Sequence, residues 1–256
     1  MSIYTDAEHA YAKEATKRWR NTLPMTTEEE YEYGIYQYRL KDYELAAQWY
    51  EKAAKKGYPP AQFALAMCIA EQRGVQGKWN EAEILFQQAA EYYMYHMEES
   101  DAFYRLGMLH LYGYGVNKDE KLAREYFQKG AQVNQGGALY ELALFYRDGK
   151  CGYPIDIKKS REYLKGAYDA HWEDAIFADF ALFTGSFEAY EYAHEIKEAY
   201  SFLLGQLMRV AEIRPSRESL LALSALYNRG YPGDSSEKKR SFQRKAKEFA
   251  KKAEQL

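Results

Sequence analysis

The amino-acid sequence contains a segment of 30 residues that recurs along the chain with its pattern in phase. Laid without a gap over Ala61–Ala90, the segment Ala102–Ala131 matches it at both terminal alanines, a leucine, a Gly-Val pair, an internal alanine and a phenylalanine. A third copy begins at Ala138 with one inserted loop residue, and half of a more divergent copy begins at Ala175. These starts are 41, 36 and 37 residues apart, which is the period of a helical repeat.

Each copy has the pattern of two helices joined by a glycine turn. In the copy over residues 102–131, Leu106 and His110 lie four residues apart, so both fall on one face of the first helix. Gly113 and Gly115 then end that helix and allow positive φ in the turn. Asp119 is placed to cap the amino end of the second helix. Equivalent aspartates stand in two other copies, at Asp42 and Asp156.

The second helix of each copy carries two small residues seven positions apart. Two turns of bare surface on one helical face allow the partner helix to approach closely. The small pairs are Ala46/Ala53, Ala82/Ala89 and Ala123/Gly130, and the long residues between them are Tyr50, Phe86 and Phe127. One helix pair cannot bury its apolar face alone, so the pairs are expected to stack into a curved solenoid with a concave groove.

The period predicts an all-α chain, an α/α superhelical solenoid of about six helix-turn-helix units over residues 28–252. The units are expected near residues 28–60, 61–100, 101–136, 137–172, 173–215 and 216–252. Residues 1–27 are expected to hold an N-terminal capping helix over roughly Asp6 to Arg20. A basic helix from about Ser236 to Lys252 is expected to cap the other end of the solenoid. Thr27 and Glu30 have the spacing of a capping box at the start of the second helical element.

The copies fit the pattern A-x-x-x-L-G-x-x-[YH]-x-x-G-x-G-V-x-x-D-x-x-x-A-x-x-x-[FY]-x-x-x-A. This pattern resembles the Sel1-like repeat, a relative of the tetratricopeptide repeat, and the resemblance covers about residues 28–252. It implies an α/α superhelix that binds other proteins and serves as an adaptor. Secreted members of that family carry a disulfide in each repeat. Cys68 and Cys151 are not paired within a unit, so this chain departs from those members.

Charge and composition argue against several other classes of protein. The net charge of −3 provides no overall basic field for nucleic acid. Residues 235–256 carry eight Lys/Arg against three Glu, which fits either a solvated face of a terminal helix or a polybasic tail for RNA or anionic lipid. No apolar run of about eighteen residues could span a membrane, and the N-terminal segment lacks the apolar core of a secretory signal. Two cysteines 83 positions apart are expected to be free thiols, so the cytoplasm is the expected compartment.

The sequence lacks the residue patterns of a catalytic, metal or cofactor site. The stretch GYGVNKD is flanked by predicted helices on both sides, which makes it a turn and not a phosphate-binding loop. The five histidines form neither an HxxxH pair nor a cluster with cysteine, so no metal is expected. His110 stands where Tyr146 and Tyr227 stand in other copies and is expected to pack in the core. No nucleophile elbow is present, and we expect a non-enzymatic protein without a cofactor, with a hydrolase-type enzyme as the alternative.

One position of the repeat is almost entirely aromatic in a chain that has 26 tyrosines. In pairs of the tetratricopeptide type the first helix lines the concave face. Counted with the recurring leucine as seventh, the fifth, ninth, twelfth and thirteenth residues of that helix should face the groove. The fifth position holds Tyr31, Phe63, Tyr104, Tyr140, Phe177 and Leu221. The other expected binding residues are Tyr38, Arg39, Met108, Tyr112, Arg147 and Arg229.

A row of aromatic rings with charged edges suits an extended peptide or a helix of a partner protein. Tyr and Arg are the residue types that dominate binding hot spots. Alternatively, the same rings stack on neighbouring first helices and are structural. The expected function is that of an adaptor or regulator that binds another protein in its groove. Within the family that the sequence resembles, an immunity protein that neutralises a toxin by direct binding is the alternative. A membrane or nucleic-acid partner is not expected.

Overall fold

The computed structural model describes residues 25–39, 41–99, 101–170, 172, 174–185, 193–213, 215–230 and 235–255. These residues contain twelve helices and no strand, which confirms the predicted all-α class. The helices form six consecutive pairs, each with a first and a second helix. The capping helix expected near residues 6–20 lies outside the described residues.

The first helices of the six pairs are α1 (Thr27–Arg39), α3 (Pro59–Ala70), α5 (Ala102–Tyr112), α7 (Gly136–Asp148), α9 (Asp174–Gly185) and α11 (Arg217–Arg229). The second helices are α2 (Tyr43–Lys55), α4 (Trp79–Tyr95), α6 (Glu120–Gln132), α8 (Ile157–Asp169), α10 (Ala193–Ile213) and α12 (Ser236–Ala253). Every first helix has 11 to 13 residues, so each offers about three turns of surface.

The helices belong to two compact units, an N-terminal unit up to Ala138 and a C-terminal unit from Leu139 onward. In the N-terminal unit, each helix from α1 to α5 packs against the next helix along the chain, which is α6 in the last case. In the C-terminal unit, the helices from α8 to α12 pack in the same sequential manner, and α9 also contacts α11. Since α9 and α11 are first helices of successive repeats, stacking of repeats is seen directly in this unit.

Within a pair, the two helices approach closely because a glycine faces an aromatic ring. A β-carbon on Gly107 of α5 would lie 2.5 Å from the ring of Phe127 in α6. Gly34 of α1 and Tyr50 of α2 repeat this arrangement, again with a separation of 2.5 Å. The small residues spaced seven apart on α2, α4 and α6 are buried together with the long residue between them. The predicted close packing of the pair is therefore confirmed.

The second helices of three repeats begin at aspartates, as the sequence predicts. In each case a side-chain oxygen accepts a hydrogen bond from the backbone N–H three residues further on, at 3.1, 2.9 and 2.9 Å. These caps satisfy one of the N–H groups that a helix leaves unpaired at its amino end. The three aspartates are Asp42, Asp119 and Asp156.

The capping box of α1 lies one residue earlier than the sequence predicted. Thr26 and Glu29, not Thr27 and Glu30, exchange the two hydrogen bonds between side chain and backbone, at 2.9 and 3.1 Å. The prediction was wrong because α1 begins at Thr27, which leaves Thr26 as the non-helical residue whose hydroxyl reaches into the first turn. Glu30 is instead buried, and its carboxylate forms an ion pair at 2.8 Å with the ammonium group of Lys56, the residue that follows α2.

The turn between first and second helix carries a glycine that touches the preceding repeat. Gly115 has φ of +65°, which confirms positive φ in this turn. A β-carbon there would lie 2.5 Å from the backbone nitrogen of Gln87 in α4, the second helix of the preceding repeat. Gly74, at the same place one repeat earlier, has φ of +71° and meets the backbone of Tyr43 in α2 in the same way. The turn therefore joins two repeats, backbone against backbone.

Gly115→Ala is expected to lower the free energy of unfolding by roughly 3 kcal/mol. Part of this cost is the left-handed conformation, and part is the displacement that the new methyl group forces on α4. Gly57→Ala is the matched control, because Gly57 has φ of +79° and no atom within 4 Å of an added β-carbon. That control should cost about 1 kcal/mol. Urea unfolding of both variants tests the contact, and equal losses would contradict it.

Candidate partner-binding surface

The aromatic residues at the fifth position of the first helices pack on the core of their own repeat. Phe63 is only 6% exposed, whereas Tyr31 and Tyr104 are half-buried, so part of each tyrosine ring is open to solvent. The distances between ring centroids are 5.8 Å for Tyr31 and Tyr50, 5.9 Å for Phe63 and Phe86, and 6.4 Å for Tyr104 and Phe127. The core of each helix pair thus determines where its fifth-position ring lies.

A buried arginine joins three repeats of the N-terminal unit. Arg105 of α5 is 7% exposed, and its Nη2 donates a hydrogen bond to the Tyr31 hydroxyl of α1 at 2.8 Å. Its guanidinium lies 4.8 Å from the ring centre of Phe63 in α3 and 5.4 Å from that of Tyr93 in α4. Asp101 accepts a hydrogen bond from the Arg105 Nε at 2.6 Å. We call Tyr31, Tyr58, Phe63, Tyr93 and Arg105 the Arg105 cluster.

The Arg105 cluster holds one fixed positive charge among neutral phenols. Burial disfavours the charge, but Tyr31 and Asp101 outweigh it and raise the pKa of Arg105 well above its usual value. Burial raises the pKa of Tyr58 to about 12 and that of Tyr93 further. The surface can recognise a partner through ring edges and hydroxyls.

The Tyr31 side of the cluster is accessible, and its inner side is closed. Tyr58, which precedes α3, stands edge-on to Tyr31 with ring centroids 5.4 Å apart, and both rings are half-buried. Tyr93 is 1% exposed, and its buried hydroxyl has no hydrogen-bond partner among the residues that the structure describes. Because the inner side is packed on aromatic rings, Arg105 and the Tyr31 hydroxyl are held in one position.

The other predicted residues of the N-terminal unit do not gather at the Arg105 cluster. Tyr38 lies at the opposite end of α1, where its ring contacts Tyr43 at 4.9 Å and its hydroxyl accepts a hydrogen bond from Arg73. Met108 is buried at 8% exposure. Tyr112 is half exposed and stacks on Tyr114 with ring centroids 5.2 Å apart. Arg39 ends α1, and its side chain is outside the described part of the structure.

In the C-terminal unit, the predicted residues lie along three first helices. The half-buried Tyr140 of α7 lies 6.2 Å from the Trp172 ring, measured between centroids. Arg147 makes a two-pronged ion pair with its neighbour Asp148, at 2.6 and 2.9 Å, and this pair lowers the pKa of Asp148 to about 2. Phe177 of α9 is half-buried, whereas Leu221 and Arg229 of α11 are exposed.

Sequence reasoning missed two buried carboxyl groups in first helices. Glu141 of α7 occupies the repeat position that Arg105 occupies in α5, and it is 8% exposed. Asp179 of α9 stands where four other repeats have the recurring leucine, and it accepts a hydrogen bond from Arg161 of α8 at 2.8 Å. For Asp179 the available signal was a charged residue at a position that is apolar or aromatic in the other repeats. The position of Glu141 gave no such signal, because it also holds Glu32 and Arg105.

Other features of the described residues bear on the kind of site. No group of three His, Cys, Asp or Glu side chains in this part of the chain is placed to hold a metal ion. No helix in the same part is long and apolar enough to cross a membrane. His110 stacks on Tyr126 of α6 with ring centroids 5.6 Å apart, but it is half-buried, so it packs at the edge of the core and not within it as predicted. Cys68 is buried in α3, and burial raises the pKa of its thiol to about 12.

Comparison with protein families identifies the repeat. The model of the Sel1 repeat matches residues 29–58, 59–91, 100–134 and 137–171. The chain belongs to the Sel1 repeat family. Each of the four matches contains one helix pair, from α1/α2 to α7/α8. The resemblance stated from the sequence is thereby confirmed, and proteins built from this repeat generally mediate protein–protein interactions.

Two curated Saccharomyces cerevisiae proteins are similar to part of the chain. The protein named Activator of C kinase protein 1 is 35% identical over 114 residues, which are 42% of this chain and 18% of that protein. The protein named Chitin synthase regulator SKT5 is 27% identical over 157 residues, which are 60% of this chain and 22% of that protein. The chain matches about a fifth of the length of each of these relatives.

Solved Sel1 repeat proteins have a similar fold. A Sel1 repeat protein from Oxalobacter formigenes is 24% identical with a TM-score of 0.50, covering 87% of this chain and 88% of its own. A protective antigen from uropathogenic Escherichia coli strains is 21% identical with a TM-score of 0.50, covering 86% of this chain and 45% of its own. At this level of identity the likeness supports the helical repeat fold alone.

Glu141 is expected to make stability depend on pH between about 4.5 and 7. Burial raises the pKa of Glu141 from its ordinary value of 4.5 to about 7, and Lys150 and Arg147 only partly oppose this. The folded protein therefore binds this proton more tightly than the unfolded chain, and the contribution to stability is full below pH 4.5 and is lost as pH rises through 7. The free energy of unfolding of Glu141→Gln minus that of the wild type should therefore be about 2–3 kcal/mol larger at pH 8 than at pH 4.

The test is urea unfolding of the wild type and of Glu141→Gln at several pH values. The difference between the two proteins isolates Glu141 from all the other titrating groups. Glu162→Gln on the exposed face of α8 is the control and should leave the pH dependence unchanged. A difference between wild type and Glu141→Gln that stays constant from pH 4 to pH 8 would show that Glu141 titrates normally.

Proposed function

We propose that the protein is a non-enzymatic adaptor or regulator that binds a segment of another protein on the first helices of its N-terminal unit. The Arg105 cluster and the neighbouring Tyr104 form the centre of the proposed surface. Sel1 repeat proteins generally mediate protein–protein interactions, and the two curated relatives are named as an activator and a regulator. The Arg105 cluster is the observation that carries the proposal, because it links the first helices of three repeats through one hydrogen-bonded, ring-stacked arginine.

Rigid aromatic residues favour binding because little side-chain freedom is lost when the partner arrives. Tyr31 is held by the Arg105 hydrogen bond and by the rings of Tyr50 and Tyr58. Tyr104 lies against Gly137 so closely that a β-carbon on that glycine would be 2.7 Å from the ring. Both tyrosines still expose part of their rings, so each is fixed in position and available for contact.

The proposed compartment is the cytoplasm. Cys68 is a buried thiol in the middle of a first helix and does not form a disulfide within its own repeat. Reduced, unpaired cysteines are typical of proteins that work in a reducing environment. The proposed partner is accordingly a cytoplasmic protein, with an adaptor or regulatory role for the complex.

The partner can be captured by a photo-reactive phenylalanine analogue placed on the proposed surface. Replacement of Tyr104 should give a cross-linked adduct in the source cells, and mass spectrometry should identify the protein. Tyr95 at the end of α4 is the matched control, because this residue is 78% exposed and lies on a second helix. Adducts at position 95 but not at position 104 would place the binding surface elsewhere. If the captured protein is a toxin, this protein has the role of an immunity protein. If this protein turns over a small substrate, the hydrolase alternative is correct.

Tyr104→Ala is expected to weaken binding of the captured partner by about 2 kcal/mol, which is roughly a thirtyfold higher Kd. The free energy of unfolding should also fall, by about 2–3 kcal/mol, because the ring packs on Phe127 and Gly137. Tyr126→Ala is the control for stability: Tyr126 is 8% exposed on α6 and packs on His110, outside the proposed surface.

Isothermal titration at a temperature where both variants are folded separates the two effects. The control should lose at least as much stability as Tyr104→Ala, since Tyr126 is the more deeply buried ring, and its affinity for the partner should be that of the wild type. An unchanged affinity of Tyr104→Ala, measured per folded molecule, would show that the ring is structural only.

A further inference from the structure

The C-terminal unit contains a groove made by residues outside the Arg105 cluster. The groove has a volume of about 820 Å³ and lies between the end of α10, one side of α11 and the second half of α12. Its apolar residues include Met208 of α10, Leu220 and Tyr227 of α11, and Phe249 of α12. Met208 is 40% exposed, so part of the apolar lining of the groove is open to solvent. We call this surface the α12 groove.

A stripe of lysines runs along α12 beside aromatic rings. Lys238, Lys245 and Lys252 are spaced seven residues apart, so they lie on one face of the helix at intervals of about 10 Å. Each ammonium lies over an aromatic ring, at 5.4, 5.4 and 5.5 Å from the ring centres of Phe242, Tyr227 and Phe249 respectively. Lys245 and Lys252 line the α12 groove itself.

The groove lies on a basic helix, although its own lining is balanced in charge. Lys245 and Lys252 line it together with Glu212 and Glu248, and Glu248 pairs with Lys252 at 2.8 Å. The side chains of that pair are 60% and 53% exposed, so the pair holds Lys252 only weakly. Residues 235–256 have eight Lys/Arg and three Glu, an excess of five positive charges. An apolar floor on a helix with a net positive charge favours an occupant that is apolar on one side and acidic on the next.

We propose that the α12 groove binds an acidic amphipathic helix of a partner protein. The apolar side chains of that helix fill the space over Met208, Leu220 and Phe249. Its Asp or Glu residues, repeated every seven positions, face the lysine stripe. A helix is the form that matches, because lysines at a seven-residue spacing on α12 meet carboxylates at the same spacing on a helix lying alongside.

The dimensions of the groove agree with about two turns of such a helix. The lining residues within α12 run from Lys245 to Lys252, which corresponds to about 10 Å along the helix axis. The lysines keep contact with their rings through the side-chain stems while their ammonium groups donate hydrogen bonds to a carboxylate, as long basic side chains do at helix–helix interfaces. The Arg105 cluster contributes nothing to this surface, so this inference is independent of the proposed function.

The probe is a synthetic fluorescent peptide that forms a helix, with glutamate every seven residues and leucines beside them on the same face. We expect the full-length protein to bind it with a Kd in the micromolar range, about 1–100 μM, by fluorescence anisotropy at about 50 mM NaCl. A second peptide with serine in place of leucine should bind at least tenfold more weakly. No binding of the first peptide at about 1 mM overturns the proposal.

Two double variants distinguish a built groove from a general positive field. Lys245→Glu with Lys252→Glu should weaken binding at least tenfold. Arg240→Glu with Lys247→Glu makes the same change of charge at the same seven-residue spacing, on exposed residues of α12 that do not line the groove. This control should change the affinity less than threefold. Equal losses in both double variants would mean that the groove is not the site.

Met208→Ser tests the apolar part of the groove without a change of charge. It should weaken binding of the leucine peptide by about fivefold and leave binding of the serine peptide unchanged. Circular dichroism should show the same helix content for all the variants, because the altered side chains are exposed.

Two further probes separate other classes of partner. Single-stranded RNA and vesicles containing phosphatidylserine are measured with the same variants. Tighter binding of either than of the acidic peptide, lost in Lys245→Glu with Lys252→Glu, would overturn the peptide assignment and identify a nucleic-acid or membrane surface.

Discussion

The close approach of the two helices in each pair is the constraint on which the rest of the structure depends. Gly107 against the Phe127 ring and Gly34 against the Tyr50 ring leave no room for a methyl group between the helices. Because the aromatic residue must fill this space, it is buried in a fixed orientation. The fifth-position ring then packs on it, at nearly the same centroid distance in three successive repeats. The proposed binding surface therefore inherits its geometry from the core.

Departures from the repeat pattern give the surfaces their chemistry. Arg105 and Glu141 occupy the same repeat position in neighbouring copies, with opposite charges and both buried. Arg105 is stabilised by Asp101, by the Tyr31 hydroxyl and by two rings, so its charge persists. Glu141 has only the more distant influence of Arg147 and Lys150, and its pKa rises to about 7. The same position thus specifies a permanent charge in one repeat and a titrating group in the next.

Much of the fold could be predicted from the sequence, and much less of the site. The period, the small residues, the glycine turn and the capping Asp119 depend on local spacing, and spacing is visible in a sequence. The link between Tyr31 and Arg105 joins residues 74 positions apart, and no periodic pattern specifies such a pair. The capping box shows how precisely a helix start can be predicted. The capping residue is Thr26 and not the predicted Thr27, because its position depends on where the helix actually begins.

The turn glycine has a consequence for how such a chain evolves. Gly115 rests on the backbone of α4, and Gly74 rests in the same way on α2. Backbone atoms are the same whatever side chain a residue carries. This joint between two repeats therefore requires a glycine in the turn and no particular residue in the helix that the turn contacts. The insertion or loss of a whole unit leaves every such joint intact. Once duplicated, the copies are free to diverge at their surface residues while the joint and the packing within each helix pair are kept, and an array can acquire new specificity without first solving a new packing problem.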